Sequence, residues 1–115
     1  MLADDQAKVR SALRLLIDQE QAFHIVGEAS EADALLVGVL RASPQIVLLD
    51  WELPGLPEHD KLDLLRRIEP HLKVIALSGH PEARTLALED GADGFISKAD
   101  PTDDVLAALY SIKVT

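Results

Sequence analysis

Short apolar runs alternate along the chain with longer segments in which apolar residues recur every three or four positions. The short runs occupy residues 1–3, 23–28, 45–49, 73–77 and 94–97, and are typical of buried strands. The longer segments occupy residues 8–21, 31–41, 59–69 and 81–91 and the stretch after Asp100, and they predict amphipathic helices. Strands and helices that alternate in this way indicate one α/β domain with a parallel sheet of five strand–helix units.

Residues with known preferences for helix ends mark several of these boundaries. Ser30 is a candidate N-cap for the second helix, and Pro81 and Gly91 suit the first turn and the end of the fourth. The pair Asp100–Pro101 similarly opens the fifth helix. The apolar positions predicted to face the core in the second and fourth helices are Ala32, Leu36, Val39 and Leu40, and Ala83, Leu86 and Ala87. The fourth helix is only weakly amphipathic, so we expect it to be weakly anchored.

Composition and charge exclude several classes of protein. With 48% apolar and 27% charged residues, the 115-residue chain is typical of one globular domain, and no apolar run approaches the roughly 20 residues that span a bilayer. We therefore expect a cytoplasmic domain without membrane contact. The chain has no cysteine and its four histidines are not spaced as paired ligands, which disfavours zinc. A net charge of −9 opposes direct nucleic-acid binding by this domain.

Chemically useful residues follow four of the five predicted strands. Asp4 and Asp5 follow the first strand, Asp50 the third, Ser78 the fourth and Lys98 the fifth. In an open parallel sheet, ligands bind outside the carboxyl ends of the strands. Three carboxylates at one edge repel one another, and a hard divalent cation that prefers oxygen ligands, best Mg²⁺, would relieve that repulsion.

These residue types together suit transfer of a phosphoryl group. Asp50 is the natural oxygen nucleophile, while Lys98 and Ser78 supply a cation and a hydroxyl donor for the phosphoryl oxygens. Any one of these residues alone is a common strand end that only returns the chain to water. The ordered set, each after its own apolar strand, favours the functional interpretation.

The segments LADDQ, VLLDWELPG, VIALSGH and GADGFISK resemble the receiver domains of two-component response regulators, over essentially residues 1–115. The stretch GADGFISKADPTDDVLAAL is most similar to the NarL/FixJ (LuxR-type) group, whose receivers usually precede a DNA-binding domain that these residues do not encode. The resemblance implies a flavodoxin-like (CheY-like) fold with strand order 2-1-3-4-5. It also implies phosphorylation by a sensor histidine kinase that controls a transcriptional output.

The resemblance also assigns roles to individual residues. Asp50 matches the phosphorylation site, and Asp5 matches a Mg²⁺ ligand. Asp4 matches an acidic neighbour that acts on the metal through water, and Glu52 matches the position that offers its backbone carbonyl to the metal. The positions that respond to phosphorylation are the switch hydroxyl Ser78, the aromatic Phe95 and the lysine Lys98. The surface they control lies near the fourth and fifth helices, and a homodimer through the helix 4–strand 5–helix 5 face, or through helices 1 and 5, is expected.

The sequence departs from the family pattern at three places. Ala99 follows Lys98 where many receivers have proline, which leaves the isomer of that peptide bond open. Phe95 has no hydroxyl, so packing alone would report the switch. The first predicted strand is short for a central strand, and its true start is expected upstream.

Other functions stay open at this point. The chain could be a stand-alone regulator that acts through protein contacts, a receiver fold that has lost phosphorylation, or an aspartyl-phosphate phosphohydrolase. The last class normally has a second Asp two residues after the nucleophile, where this chain has Glu52, and a cap for which 115 residues leave no room. A flavin-binding module is disfavoured because the residues after Ala3 are acidic and would repel phosphate. Trp51 beside Asp50 is expected to pack locally or cover the cleft, and His80 to be solvated.

Overall fold

The protein is described by a computed structural model, in which residues 1–112 are described. Five strands form a single parallel sheet: β1 (Leu2–Ala3), β2 (Glu28–Ala29), β3 (Ile46–Asp50), β4 (Lys73–Ser78) and β5 (Gly94–Ser97). Their order across the sheet is β2-β1-β3-β4-β5, and each neighbouring pair is parallel. The predicted fold class and strand order are confirmed.

Helices cover both faces of this sheet. They are α1 (Ala7–Asp18), α2 (Ala32–Ala42), α3 (Asp63–Ile68), α4 (Arg84–Glu89) and α5 (Thr102–Ile112), and a 3₁₀ turn (Pro81–Ala83) precedes α4. Successive strand side chains point to opposite faces, so β3 contributes Leu49 to a core with α2, α3 and α4, and Leu48 to a second core with α1 and α5. No helix within residues 1–112 is long and apolar enough to cross a membrane.

The second strand is much shorter than predicted. The sequence pattern predicts a strand over residues 23–28, whereas only Glu28 and Ala29 lie in the sheet. Their partner β1 contributes just Leu2 and Ala3, with Leu2 opposite Glu28 and Ala3 opposite Ala29. A strand exists only where a neighbour supplies backbone partners, so β2 extends no further than β1 does.

Helix boundaries and faces also differ in places. Glu31, not Ser30, is the N-cap residue of α2 and makes no side-chain cap; the amide of Ala32 instead donates to the carbonyl of Pro54 at 2.9 Å. In α2 the predicted core residues Ala32 and Val39 are buried, and so is Leu35, which was not predicted, whereas Leu40 is 63% exposed. The predicted face was therefore wrong at Leu40 by part of a turn.

The third and fourth helices begin later than their apolar periods predict. The period predicts a third helix over residues 59–69, but α3 starts at Asp63, because Asp60 has a left-handed φ of 52° that interrupts a right-handed helix. The fourth helix ends at Glu89, and Gly91 follows two residues later with the positive φ of 103° expected of a residue that closes a helix, but Leu86 is 63% exposed rather than buried. Ala87 is the buried residue of α4, so this helix makes little apolar contact with the core.

Candidate functional site

The carboxyl ends of four strands meet at one edge of the sheet and carry polar side chains. Asp4 follows β1, Asp50 ends β3, Ser78 ends β4 and Lys98 follows β5. Asp4 and Ser78 are 0% exposed and Asp50 is 2% exposed, although all three are polar. Buried polar side chains that are not part of the apolar core need partners. These residues find them in Lys98, in Glu52 and in the backbone amides of Gln6 and His80.

Carboxylate oxygens of Asp4, Asp5 and Asp50 lie within 4.8 Å of one another. One oxygen of Asp4, Oδ1, accepts a hydrogen bond from the amide of Gln6 at 2.9 Å. Its Oδ2 is buried and accepts no well-oriented hydrogen bond from the described residues, although the ammonium of Lys98 lies 2.8 Å away. Clustered carboxylates with an oxygen left in this state suit a hard divalent cation, so the residues present fit Mg²⁺.

Lys98 links two of the three carboxylates. Its Nζ lies 2.8 Å from Oδ2 of Asp4 and 3.5 Å from Oδ2 of Asp50. Partial burial of the ammonium acts to lower the pKa of Lys98, but its close ion pair with Asp4 and the charge of Asp50 outweigh the burial, so the pKa of Lys98 is raised. Lys98 is therefore a permanent cation at neutral pH, aimed at the acidic cluster.

Asp50 is held in a defined orientation. Its Oδ1 accepts a hydrogen bond from the amide of Glu52 at 3.0 Å, and its Oδ2 therefore faces Lys98, 3.5 Å away. Burial raises the pKa of Asp50, and the charges of Asp4 and Glu52 act in the same direction against the Glu52 amide and Lys98. The ionised form of Asp50 is thus energetically disfavoured in this cleft, and an added cation would stabilise it.

The hydroxyl of Ser78 is bound by the side chain of Glu52. Ser78 Oγ donates to the Glu52 carboxylate, with distances of 2.8 and 3.0 Å to its two oxygens, and accepts from the amide of His80 at 3.0 Å. The sequence patterns pointed only to the backbone carbonyl of Glu52 and missed its side chain. An acidic residue two positions after a buried nucleophile was the available signal.

The aromatic residues Trp51 and Phe95 pack in or against the apolar core. Trp51 is 4% exposed in the apolar core, and Lys61 covers it, with Nζ 5.2 Å from the ring centroid and 2.7 Å from the Trp51 carbonyl oxygen. Phe95 lies opposite Ala76 and packs half-buried against the same core. These contacts favour local packing for Trp51 over substrate binding.

The loop after β5 is tied to the end of β4. The amide of Lys98 donates to the carbonyl of Ser78 at 2.8 Å, and residues 1–112 contain no cis peptide bond, so the bond between Lys98 and Ala99 is trans. The backbone therefore holds Lys98 close to Ser78 as well as to the carboxylates.

Residues 1–110 match the family described as the response regulator receiver domain. The chain belongs to this family. The receiver fold is thereby explained by descent as well as by sequence pattern, and the resemblance found in the strand-end segments is confirmed. The strand-end residues described above lie within the matched range.

Known proteins agree with this assignment. The receiver domain is 32% identical over 112 residues to the nitrate/nitrite response regulator protein NarL of Escherichia coli, covering 96% of this chain but 52% of NarL, so it spans about half the length of that relative. A crystal structure of a two-component response regulator of the LuxR family from Aurantimonas superposes with a TM-score of 0.87 at 28% identity, covering 97% and 81% of the two chains.

A second solved structure supports the fold. CheY of Borrelia burgdorferi, in a complex described as CheX-CheY-BeF₃-Mg²⁺, has a TM-score of 0.85 at 24% identity and covers 99% of this chain and 87% of its own. The fold of this chain is thus shared with a LuxR-family response regulator and with CheY.

Proposed function

We propose that this receiver accepts a phosphoryl group on Asp50 in a Mg²⁺-dependent reaction with a sensor histidine kinase. The observation that carries the proposal is the orientation of Asp50: Oδ1 is held by the Glu52 amide, and Oδ2 faces Lys98 beside the Asp4 and Asp5 carboxylates. A carboxylate with one oxygen fixed and the other turned toward a cation is a pre-oriented nucleophile.

The chemistry follows from this orientation. Oδ2 of Asp50 forms a bond to phosphorus as the bond from phosphorus to the phosphohistidine nitrogen breaks, and that nitrogen keeps the electron pair. Lys98 stays protonated and compensates charge on the phosphoryl oxygens, and Ser78 can donate to one of them. A Mg²⁺ held by Asp4, Asp5, Asp50 and the backbone carbonyl of Glu52 would supply further neutralisation of charge.

The output is a change of surface rather than turnover of another substrate. The phosphoryl group adds a charge of about −1.5 to −2 at the cleft, and Ser78 moves toward it while Phe95 turns inward. Because α4 buries only Ala87, the loop after Ser78 can shift this helix at small cost, which alters the α4–β5–α5 surface. A second receiver, through this face or through α1 and α5, or an attached DNA-binding domain reads the change in the cytoplasm.

Intact-mass spectrometry tests this proposal. The wild-type protein is incubated with Mg²⁺ and acetyl phosphate, and should gain the mass of one phosphoryl group, whereas Asp50→Ala should gain none. Glu58→Gln is a matched control, because Glu58 is an exposed acid on the loop after β3 that forms no hydrogen bond or ion pair within residues 1–112. Absence of a mass gain in wild type, or an equal gain in Asp50→Ala, would refute the assignment.

A further inference from the structure

The hydroxyl of Ser78 is fully engaged before any phosphoryl group arrives. A serine hydroxyl has one proton to donate, and here that proton is directed to the Glu52 carboxylate at 2.8 and 3.0 Å. The oxygen also accepts from the His80 amide at 3.0 Å. Since Ser78 is 0% exposed, water cannot replace Glu52 as an acceptor without a rearrangement.

Glu52 has an anchored backbone and lies at the protein surface. Its amide is held by Oδ1 of Asp50 at 3.0 Å, while the residue itself is solvent-exposed. The carboxylate can therefore leave Ser78 and enter water without disturbing the backbone near the nucleophile. Charged acceptors form stronger hydrogen bonds than neutral ones, so the contact is costly to break but breakable.

We infer that Glu52 restrains Ser78 and sets how readily the site accepts a phosphoryl group. A phosphoryl group on Asp50 must replace the Glu52 carboxylate as the acceptor of the Ser78 hydrogen bond, and it is itself repelled by the negative charge of Glu52. Glu52 thereby stabilises the unphosphorylated conformation of Ser78, and its carboxylate moves into solvent when Asp50 is phosphorylated. The inference rests on the proposed function, because it concerns the competition between Glu52 and the phosphoryl group for one donor.

A double-mutant cycle with the phosphoryl mimic BeF₃⁻ tests the inference. Binding of BeF₃⁻ in saturating Mg²⁺ is measured by calorimetry for wild type, Glu52→Ala, Glu52→Gln and Glu58→Ala. We expect Glu52→Ala to bind about tenfold more tightly, equivalent to about 1.4 kcal/mol, with Glu52→Gln in between because it keeps an acceptor but loses the charge. Glu58→Ala should resemble wild type.

The Ser78→Ala background separates restraint of the hydroxyl from simple charge repulsion. Without the Ser78 hydroxyl, the gain in BeF₃⁻ binding free energy caused by Glu52→Ala should be less than half of the gain seen when Ser78 is present. An independent readout is the NMR signal of the His80 amide in the protein without BeF₃⁻, which should shift in Glu52→Ala and stay in place in Glu58→Ala because Ser78 Oγ is its acceptor.

The outcomes are distinct. Any one of three results overturns the inference and leaves the proposed function standing: Glu52→Ala binds BeF₃⁻ with the affinity of wild type, its gain in affinity is undiminished in the Ser78→Ala background, or its His80 amide signal does not shift. Failure of wild type and every variant to bind BeF₃⁻ overturns the proposed function, and this inference with it.

Discussion

Replacing Asp50 with Asn should stabilise the Mg²⁺-free protein at neutral pH. The Asp50 carboxylate is nearly fully buried, and its pKa is raised mainly by that burial, with Asp4 and Glu52 adding to the effect. A group whose pKa is higher in the folded than in the unfolded chain destabilises the fold when it is ionised. Asn has a similar shape, keeps an oxygen to accept the Glu52 amide, and carries no charge.

The size of the effect follows from nearby charges. With an effective dielectric constant of about 20, a carboxylate of Asp4 within 4.8 Å of Asp50 repels it by at least about 3.5 kcal/mol, and Lys98 at 3.5 Å attracts it by about 4.7 kcal/mol. These terms nearly cancel, so desolvation of the carboxylate decides the sign. We expect a gain of about 1 kcal/mol, or about 4 °C in Tm for a domain of this size.

The assay is urea denaturation in EDTA across a pH series, with Glu58→Gln as the control for loss of one negative charge from a protein of net charge −9. The Asp50→Asn advantage should be full above the folded-state pKa of Asp50. It should shrink as the pH falls through that pKa and vanish below the ordinary value of 3.8, where Asp50 is protonated in both states.

Magnesium should reverse the order of stability. At a hundredfold excess over its Kd, a ligand that binds only the folded state adds about 2.7 kcal/mol, and Asp50→Asn lacks one of the proposed anionic ligands of Mg²⁺. Wild type should then be the more stable protein. Two results would refute the reasoning that the ionised Asp50 carboxylate destabilises the fold. Asp50→Asn could be no more stable than Glu58→Gln in EDTA at pH 7, or its gain in stability over wild type could be the same at every pH.

Three further substitutions follow from the same structure. Lys98→Met should destabilise the Mg²⁺-free protein by about 2 kcal/mol in urea at pH 7, since it removes the ammonium 2.8 Å from Asp4. Because the pKa of Lys98 is raised in the folded protein, the stabilisation by Lys98 is complete below pH 10.5 and is lost as the pH rises through the folded-state pKa. A stability difference between wild type and Lys98→Met that stays the same at high pH would contradict this role of the ammonium. Leu72→Ala, at a position 0% exposed, should cost about 3 kcal/mol by calorimetry, and a loss under 1 kcal/mol would mean that the core there repacks. Gly55→Ala should cost about 1–2 kcal/mol, because Gly55 has φ 91° and the new Cβ would lie 3.1 Å from that of Ala32; an unchanged Tm would refute the backbone strain.

Several features were predictable from local pattern because their cause is local. The apolar runs before Asp50 and Ser78 are long enough to be strands on their own evidence, and Gly91 ends α4 through its own backbone freedom. Once the strands are parallel, their carboxyl ends share an edge, which is why Asp50, Ser78 and Lys98 could be expected near one another.

Other features depend on partners that no local window contains. The length of β2 is set by β1, the late start of α3 by the left-handed turn at Asp60, and the buried position Leu35 by the direction from which the sheet meets α2. Periodicity shows that a helix has an apolar face, but adjacent turns compete for the core, and packing decides between Leu35 and Leu40.

The sequence alone therefore determined the α/β class, the helix–strand alternation and the strand ends that carry carboxylates, a hydroxyl and a lysine, because these follow from period and chain direction. Only the tertiary structure decided that the Glu52 side chain holds Ser78 and that Lys98 lies closer to Asp4 than to Asp50. Those contacts join residues 26 or more positions apart, and their geometry depends on how separate strands pack.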